Sequence, residues 1–155
     1  MDVVDIMIHE SGSGGDLSLI NDDLATISGL TNQVYLALFG GNIEQSTVPD
    51  LSELDDRQDW WGNSLLLVEN QLNSNFERKI NQIALTSGGV RTLENAAKED
   101  LKFLKDIADV TVNGSISGLS RFELTVNLVE PDKTSTKIKF IWDGTKKELI
   151  QTVII

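Results

Sequence analysis

The chemistry-bearing residues of this chain gather before and around one short stretch, Asp55-Asp56-Arg57-Gln58-Asp59-Trp60-Trp61-Gly62-Asn63, where three carboxylates lead into two adjacent indoles and a glycine. Asp55, Asp56 and Asp59 are hard oxygen donors, but their spacing is not that of a calcium-binding EF-hand loop. The single histidine, His9, lies in a predicted strand near a glycine-rich turn; an imidazole can serve as a general base, but an isolated histidine is usually not catalytic. There is no cysteine, so thiolate ligation and disulfides are excluded, and a His/Cys metal site is excluded by count. The run Ser11-Gly12-Ser13-Gly14-Gly15 lacks the Gly-Lys-Ser/Thr ending of a phosphate loop and the spacing of a dinucleotide fingerprint. It reads as a hairpin tip. Acids are numerous enough that a glycosidase-like carboxylate pair can be chosen in many ways, so the sequence singles none out. The expectation from the residues is no cofactor, no metal and no catalytic set.

Adjacent tryptophans on a strand or turn point to opposite sides. One indole can then anchor the core while the other faces a different surface, although a tryptophan pair is more often a core peg than a binding site. Trp is enriched at interface hot spots, and the flanking carboxylates disfavour burial of both rings. Which of Trp60 and Trp61 is inside stays open at this level.

Charge is distributed unevenly. The net charge is −11 over 155 residues; residues 1–63 hold twelve acids and one base, Arg57, whereas residues 64–155 hold twelve of each. An acidic first part repels nucleic acid and anionic membranes and favours a basic protein partner, or it solvates a face. The length fits one domain, 1–155, with an acidic strand-and-turn part at 1–63 and helices followed by strands at 64–155. No apolar run reaches the roughly 18–20 residues of a membrane helix. Acid at Asp2 and Asp5, where a signal peptide carries Lys or Arg, argues against export by that route, and the lack of cysteine suits a reducing cytoplasm.

The elements that position these residues follow from periodicity. Val4, Ile6 and Ile8, then Leu17, Leu19, Leu24 and Ile27, predict a meander of short strands. Leu30, Val34, Tyr35 and Leu38 predict a helix capped by Ser28 or Thr31 and ended by Gly40-Gly41. Residues 42–59 read as a long acidic surface loop. Ser74 and Glu77 form a capping-box pattern ahead of Phe76, Ile80, Ile83 and Ala84, with Ser87-Gly88-Gly89 ending that helix. Leu93, Ala97, Leu101, Leu104 and Ala108 predict a second, longer helix. From Val110 the period becomes two: Phe122, Leu124, Val126 and Leu128, then Ile138, Phe140 and Trp142, with turns at Pro131-Asp132-Lys133 and Asp143-Gly144. The fold class predicted is α+β, an antiparallel sheet of short strands with two or three helices packed on one face. The last segment, Leu149 to Ile155, is apolar and, from Leu149 on, uncharged. Such a strand invites pairing, either within its own sheet or with a partner chain. Leu149, Gln151, Val153 and Ile155 are the candidate residues for that pairing, with Trp60, Trp61 and Asp59 for a partner contact or the fold.

Around Arg57-Gln58-Asp59-Trp60-Trp61-Gly62-Asn63 the chain resembles the small baseplate protein family of Mu-like contractile-tailed phages, which shows an Arg, a Trp-Trp-Gly and an Asp or Asn there. The resemblance continues in order through the Gly29-Leu30 to Phe39 helix, the acidic loop with Pro49-Asp50, the helical segment from Phe76 to Leu104, the strands after Val110 and Phe140-Ile141-Trp142. That family is similar to the sheath-initiator wedge proteins of contractile injection systems. The resemblance implies a non-enzymatic virion structural protein, one copy per wedge in a sixfold phage tail baseplate, assembled in the bacterial host cytoplasm. Its implied partners are other baseplate wedge proteins and the tail sheath protein, joined by added strands; nucleic acid and membrane are not among them. One departure stands out. The wider wedge family often carries Glu-Pro-Arg after its last helix, and Asp106-Ile107-Ala108-Asp109-Val110 lacks it. Two rivals remain, a tail-associated peptidoglycan hydrolase, lysozyme-like, and an acidic adapter that binds a basic partner.

Overall fold

A computed structural model describes residues 4–10, 15–40, 65 and 74–155. Its centre is a four-stranded antiparallel sheet made by the last four strands, each bonded to the next along the chain. The strands are β7 (Asp109–Ile116), β8 (Arg121–Val129), β9 (Ser135–Asp143) and β10 (Glu148–Ile154). Alternation decides which way each strand faces. Phe122, Leu124, Val126 and Leu128 on β8 and Ile138, Phe140 and Trp142 on β9 are buried on one face. The other face carries Glu123, Thr125 and Asn127 beside Lys137, Lys139 and Ile141, with a Glu123–Lys139 ion pair at 3.1 Å.

Three helices cover the apolar face: α1 (Thr31–Phe39), α2 (Asn75–Gln82) and α3 (Ser87–Asp100), followed by a 3-10 helix, Lys102–Asp106. The fold is therefore α+β, as the periodicity predicts. Phe39 joins the layers. Its ring meets Phe76 of α2 edge-on at 5.5 Å and Phe140 and Trp142 of the sheet at 5.3 and 6.5 Å. Each large side chain buried in this core contributes about 1.5–3 kcal/mol.

Helix boundaries depart from the sequence prediction in four places. The N-cap position of α1 is Leu30, with no side-chain cap bond, and the Thr31 hydroxyl is buried without a hydrogen-bond partner among the described residues. Ser74 does not complete a capping box; its hydroxyl accepts the Gly40 N–H at 3.0 Å instead, tying the end of α1 to the start of α2. Ser87-Gly88-Gly89 does not end α2. It opens α3, whose N-cap Thr86 accepts the Gly89 N–H through Oγ1 at 3.1 Å. The long helical stripe through Leu104 is two elements, because α3 stops at Asp100 and the chain tightens into the 3-10 turn.

The first part of the chain is not a simple meander. β1 (Val4–Ile6) pairs with β6 (Thr26–Ser28), β2 (Ile8–Glu10) with β3 (Gly15–Leu17), and β4 (Leu19–Ile20) with β5 (Asp23–Leu24). The three antiparallel pairs radiate from one point. There, Met7 N–H donates to Ala25 O, Ala25 N–H to Ser18 O and Ser18 N–H to Met7 O, at 2.8, 2.8 and 3.0 Å. A closed ring of main-chain bonds thus satisfies the groups that three strand pairs leave over at their shared base. Asn32 of α1 fastens this unit: its side-chain nitrogen donates to Ile6 O at 2.7 Å and to Asp5 Oδ2 at 3.0 Å, and its oxygen accepts the Ile8 N–H at 3.3 Å.

Candidate strand-pairing interface

β10 is one edge of the four-stranded sheet. The segment from Leu149 to Ile155 thus pairs with its own sheet on one side, through β9. Lys137 and Ile155 exchange both main-chain bonds, at 3.1 and 2.8 Å. In an antiparallel ladder such pairs alternate. Val153 and Gln151 therefore turn their main-chain groups inward to Lys139 and Ile141, their register partners. Thr152 and Ile154 turn theirs outward. Among the described residues no strand pairs with them on that side. β2 lies close to β10 without joining its ladder.

Unbroken alternation puts Leu149, Gln151, Val153 and Ile155 on one face. A bulge between Leu149 and Gln151 separates them. One extra residue in one strand reverses the facing of everything beyond it. Leu149 is buried opposite Trp142, whereas Gln151 and Val153 sit opposite Ile141 and Lys139 on the uncovered face. Ile155 is 68% exposed. Leu149 is thus a core residue and anchors the strand. The outward main-chain groups belong to Thr152 and Ile154, which the side-chain pattern alone did not single out. Knowing the partner register of β9 is what finds them. Trp60, Trp61 and Asp59, and the possible cation donors Asp55 and Asp56, lie outside the described residues.

The opposite edge is treated differently. Glu94 of α3 extends over β7 and accepts the Gly114 N–H at 2.7 Å. A carboxylate from the covering helix thus occupies an outward donor of that edge, a way of blocking further pairing. Gly114 makes room for this: a Cβ there lies 2.9 Å from the Phe122 ring and 3.2 Å from Glu94 Cγ. No charge or proline interrupts β10 after Glu148. Among the described residues the two edges of one sheet therefore differ: on β7 a carboxylate takes the Gly114 N–H, and on β10 no strand or side chain is bonded to the outward groups of Thr152 and Ile154.

Ionisable groups near the sheet are surface groups with ordinary causes. The Lys139 hydrogen bond, with a second from Ser117, holds the Glu123 carboxyl below its usual range. Turn N–H groups of Lys146 and Thr145 do the same for Asp143. Asp100 behaves oppositely. Burial pushes it up to about 6, outweighing the N–H groups of Phe76 and Asn75 that favour its charged form. A hydrolase needs such a carboxyl in a cleft, facing substrate. The Asp100 carboxylate instead meets the Phe76 N–H at 2.6 Å, at the start of α2. Among the described residues no cluster of three or more His, Asp or Glu is placed to hold a metal. No described helix is long and apolar enough to cross a membrane. No family model, no curated protein and no solved structure matches the chain.

Proposed function

We propose that this chain is an assembly subunit of a contractile tail baseplate, a wedge protein that contacts neighbouring wedge proteins and starts the sheath by accepting a strand along β10. The observation that carries the proposal is the contrast between the two sheet edges. β7 has its Gly114 donor taken by Glu94, while Thr152 and Ile154 direct main-chain groups outward from a strand with neutral side chains. Strand addition draws its affinity from such main-chain groups and its register from alternating side chains. The likeness around Arg57 to Asn63 supplies the setting, and the arrangement supports a structural role in place of a catalytic one. In this reading the partners are other wedge proteins and the sheath subunit, and the chain is present as a sixfold set.

Quantitative mass spectrometry of purified contractile particles tests the setting. A low, fixed ratio to tube and sheath subunits, consistent with one sixfold ring, supports it. Absence from intact particles rejects it. The acidic adapter remains a rival because residues 1–63 hold twelve acids and one base; its signature is a partner released steeply by salt.

A further inference from the structure

The hairpin β4–β5 is a ribbon with apolar side chains on both of its faces, and among the described residues neither face joins the hydrophobic core. Leu19 and Leu24 are a cross-strand pair, so they share one face; Ile20, paired with Asp23, lies on the other. All three are exposed, Leu19 at 67%, Ile20 at 59% and Leu24 at 43%. A hairpin that belongs to a sheet buries one face. Among the described residues nothing covers either face of this one, which is a costly way to expose leucine and isoleucine to water.

The ribbon is also preorganised. Its two-residue turn, Asn21-Asp22, has φ of 53° and 64°, the left-handed pair that a type I′ hairpin requires. The Asp23 carboxylate accepts the Leu24 N–H at 2.8 Å. At its base the Met7–Ser18–Ala25 ring fixes the direction in which it projects. A projecting element that is already ordered loses little entropy on binding.

From these features we infer that β4–β5 is a docking peg that inserts into an apolar cleft flanked by Lys or Arg side chains on a partner protein. Charge selects the occupant. Asp22 and Asp23 form the tip, and residues 1–56 contain no Lys or Arg at all. An anionic membrane surface repels such a tip. The chain's own residues 41–73 include an apolar run, Leu65-Leu66-Leu67-Val68, but carry seven acids against Arg57 and so do not complement the charge of the tip. The peg is separate from the β10 edge, and its test does not depend on the function of that edge.

The test places a photo-reactive residue, Ile20→p-benzoylphenylalanine, in the full chain made in its natural cells, with the same substitution at Lys133 as control. After irradiation the adduct is isolated and its attachment point sequenced. The expected result is one partner protein, joined at an apolar segment with Lys or Arg beside it, and no such adduct from position 133. The adduct should fall at least about tenfold in Leu19→Asn/Leu24→Asn, which removes the apolar pair. It should also fall in Asp22→Lys/Asp23→Lys and at high salt. Lysine tolerates the turn geometry, since Lys133 and Lys147 already adopt φ of 70° and 56° here. Thermal unfolding of each variant checks that the fold is intact. Attachment to residues 41–73 of the same chain, to a second copy or to lipid, attachment at an acidic segment, or no discrete adduct each overturns the inference.

Discussion

The Asp100 carboxylate, at the last residue of α3, accepts the Phe76 N–H in the first turn of α2 at 2.6 Å. The N-terminus of one helix is thus capped by the C-terminus of the next. The cap is expected to be worth about 1–2 kcal/mol, so Asp100→Ala should lower unfolding free energy by that amount. Asp100→Asn keeps an acceptor and should lose less. The pH behaviour separates them further. The carboxyl sits at about 6 in the folded protein against 3.8 as its ordinary value. The folded state therefore holds its proton more tightly. Its contribution is complete below pH 3.8 and is lost as pH rises through about 6. Urea unfolding of wild type and Asp100→Asn from pH 3.5 to 7 should show the wild type's advantage shrinking across that window. A constant difference would rule this linkage out.

Two glycines are held by space. A Cβ on Gly89 would collide with the Ala84 carbonyl oxygen, a main-chain atom that cannot rotate away. Gly114 would meet the Phe122 ring at 2.9 Å. Gly89→Ala and Gly114→Ala should each cost about 1–3 kcal/mol, Gly89 the more. Chemical denaturation at one pH reads both.

Glu94→Ala removes the acceptor that holds the Gly114 N–H. Stability should fall by about 1 kcal/mol. The larger effect should be association, because β7 then presents an unblocked edge. Analytical ultracentrifugation across a concentration series should show oligomers absent from wild type; a strictly monomeric variant would deny Glu94 its blocking role.

Deleting residues 151–155 removes the outward groups of Thr152 and Ile154 but keeps Leu149 against Trp142. The truncated chain should remain folded, weakened by roughly 1–3 kcal/mol. It should no longer seed sheath. Loss of cooperative unfolding would instead make the segment part of the core. Thr152→Pro is the milder companion, since it removes an N–H that the β9–β10 ladder does not use.

Much of the sheet was legible because side-chain period is a local signal. Phe122 to Leu128 and Ile138 to Trp142 alternate without a break, and the strands follow. What was hidden depends on distant partners. Ser74 and Glu77 have the spacing of a capping box, yet the Ser74 hydroxyl is claimed by Gly40, 34 residues earlier. Gly88 and Gly89 look like a helix stop, but the Thr86 hydroxyl ahead of them makes a start. The bulge after Leu149 has no marker in the residues themselves and reverses the side on which Gln151 and Val153 fall. The first part of the chain looked like a meander since β1 and β6, with about twenty residues between them, are joined only in space.

The ring at Met7, Ser18 and Ala25 fixes the base of each arm and says nothing about its length. Arm reach and arm placement are therefore independent variables. Residues can be added in register pairs to β4–β5, or its tip exchanged, without moving the other two arms or the grip of Asn32. The unit is in effect a grafting platform, on which a new recognition tip can be mounted while the helices and sheet behind it stay as they are.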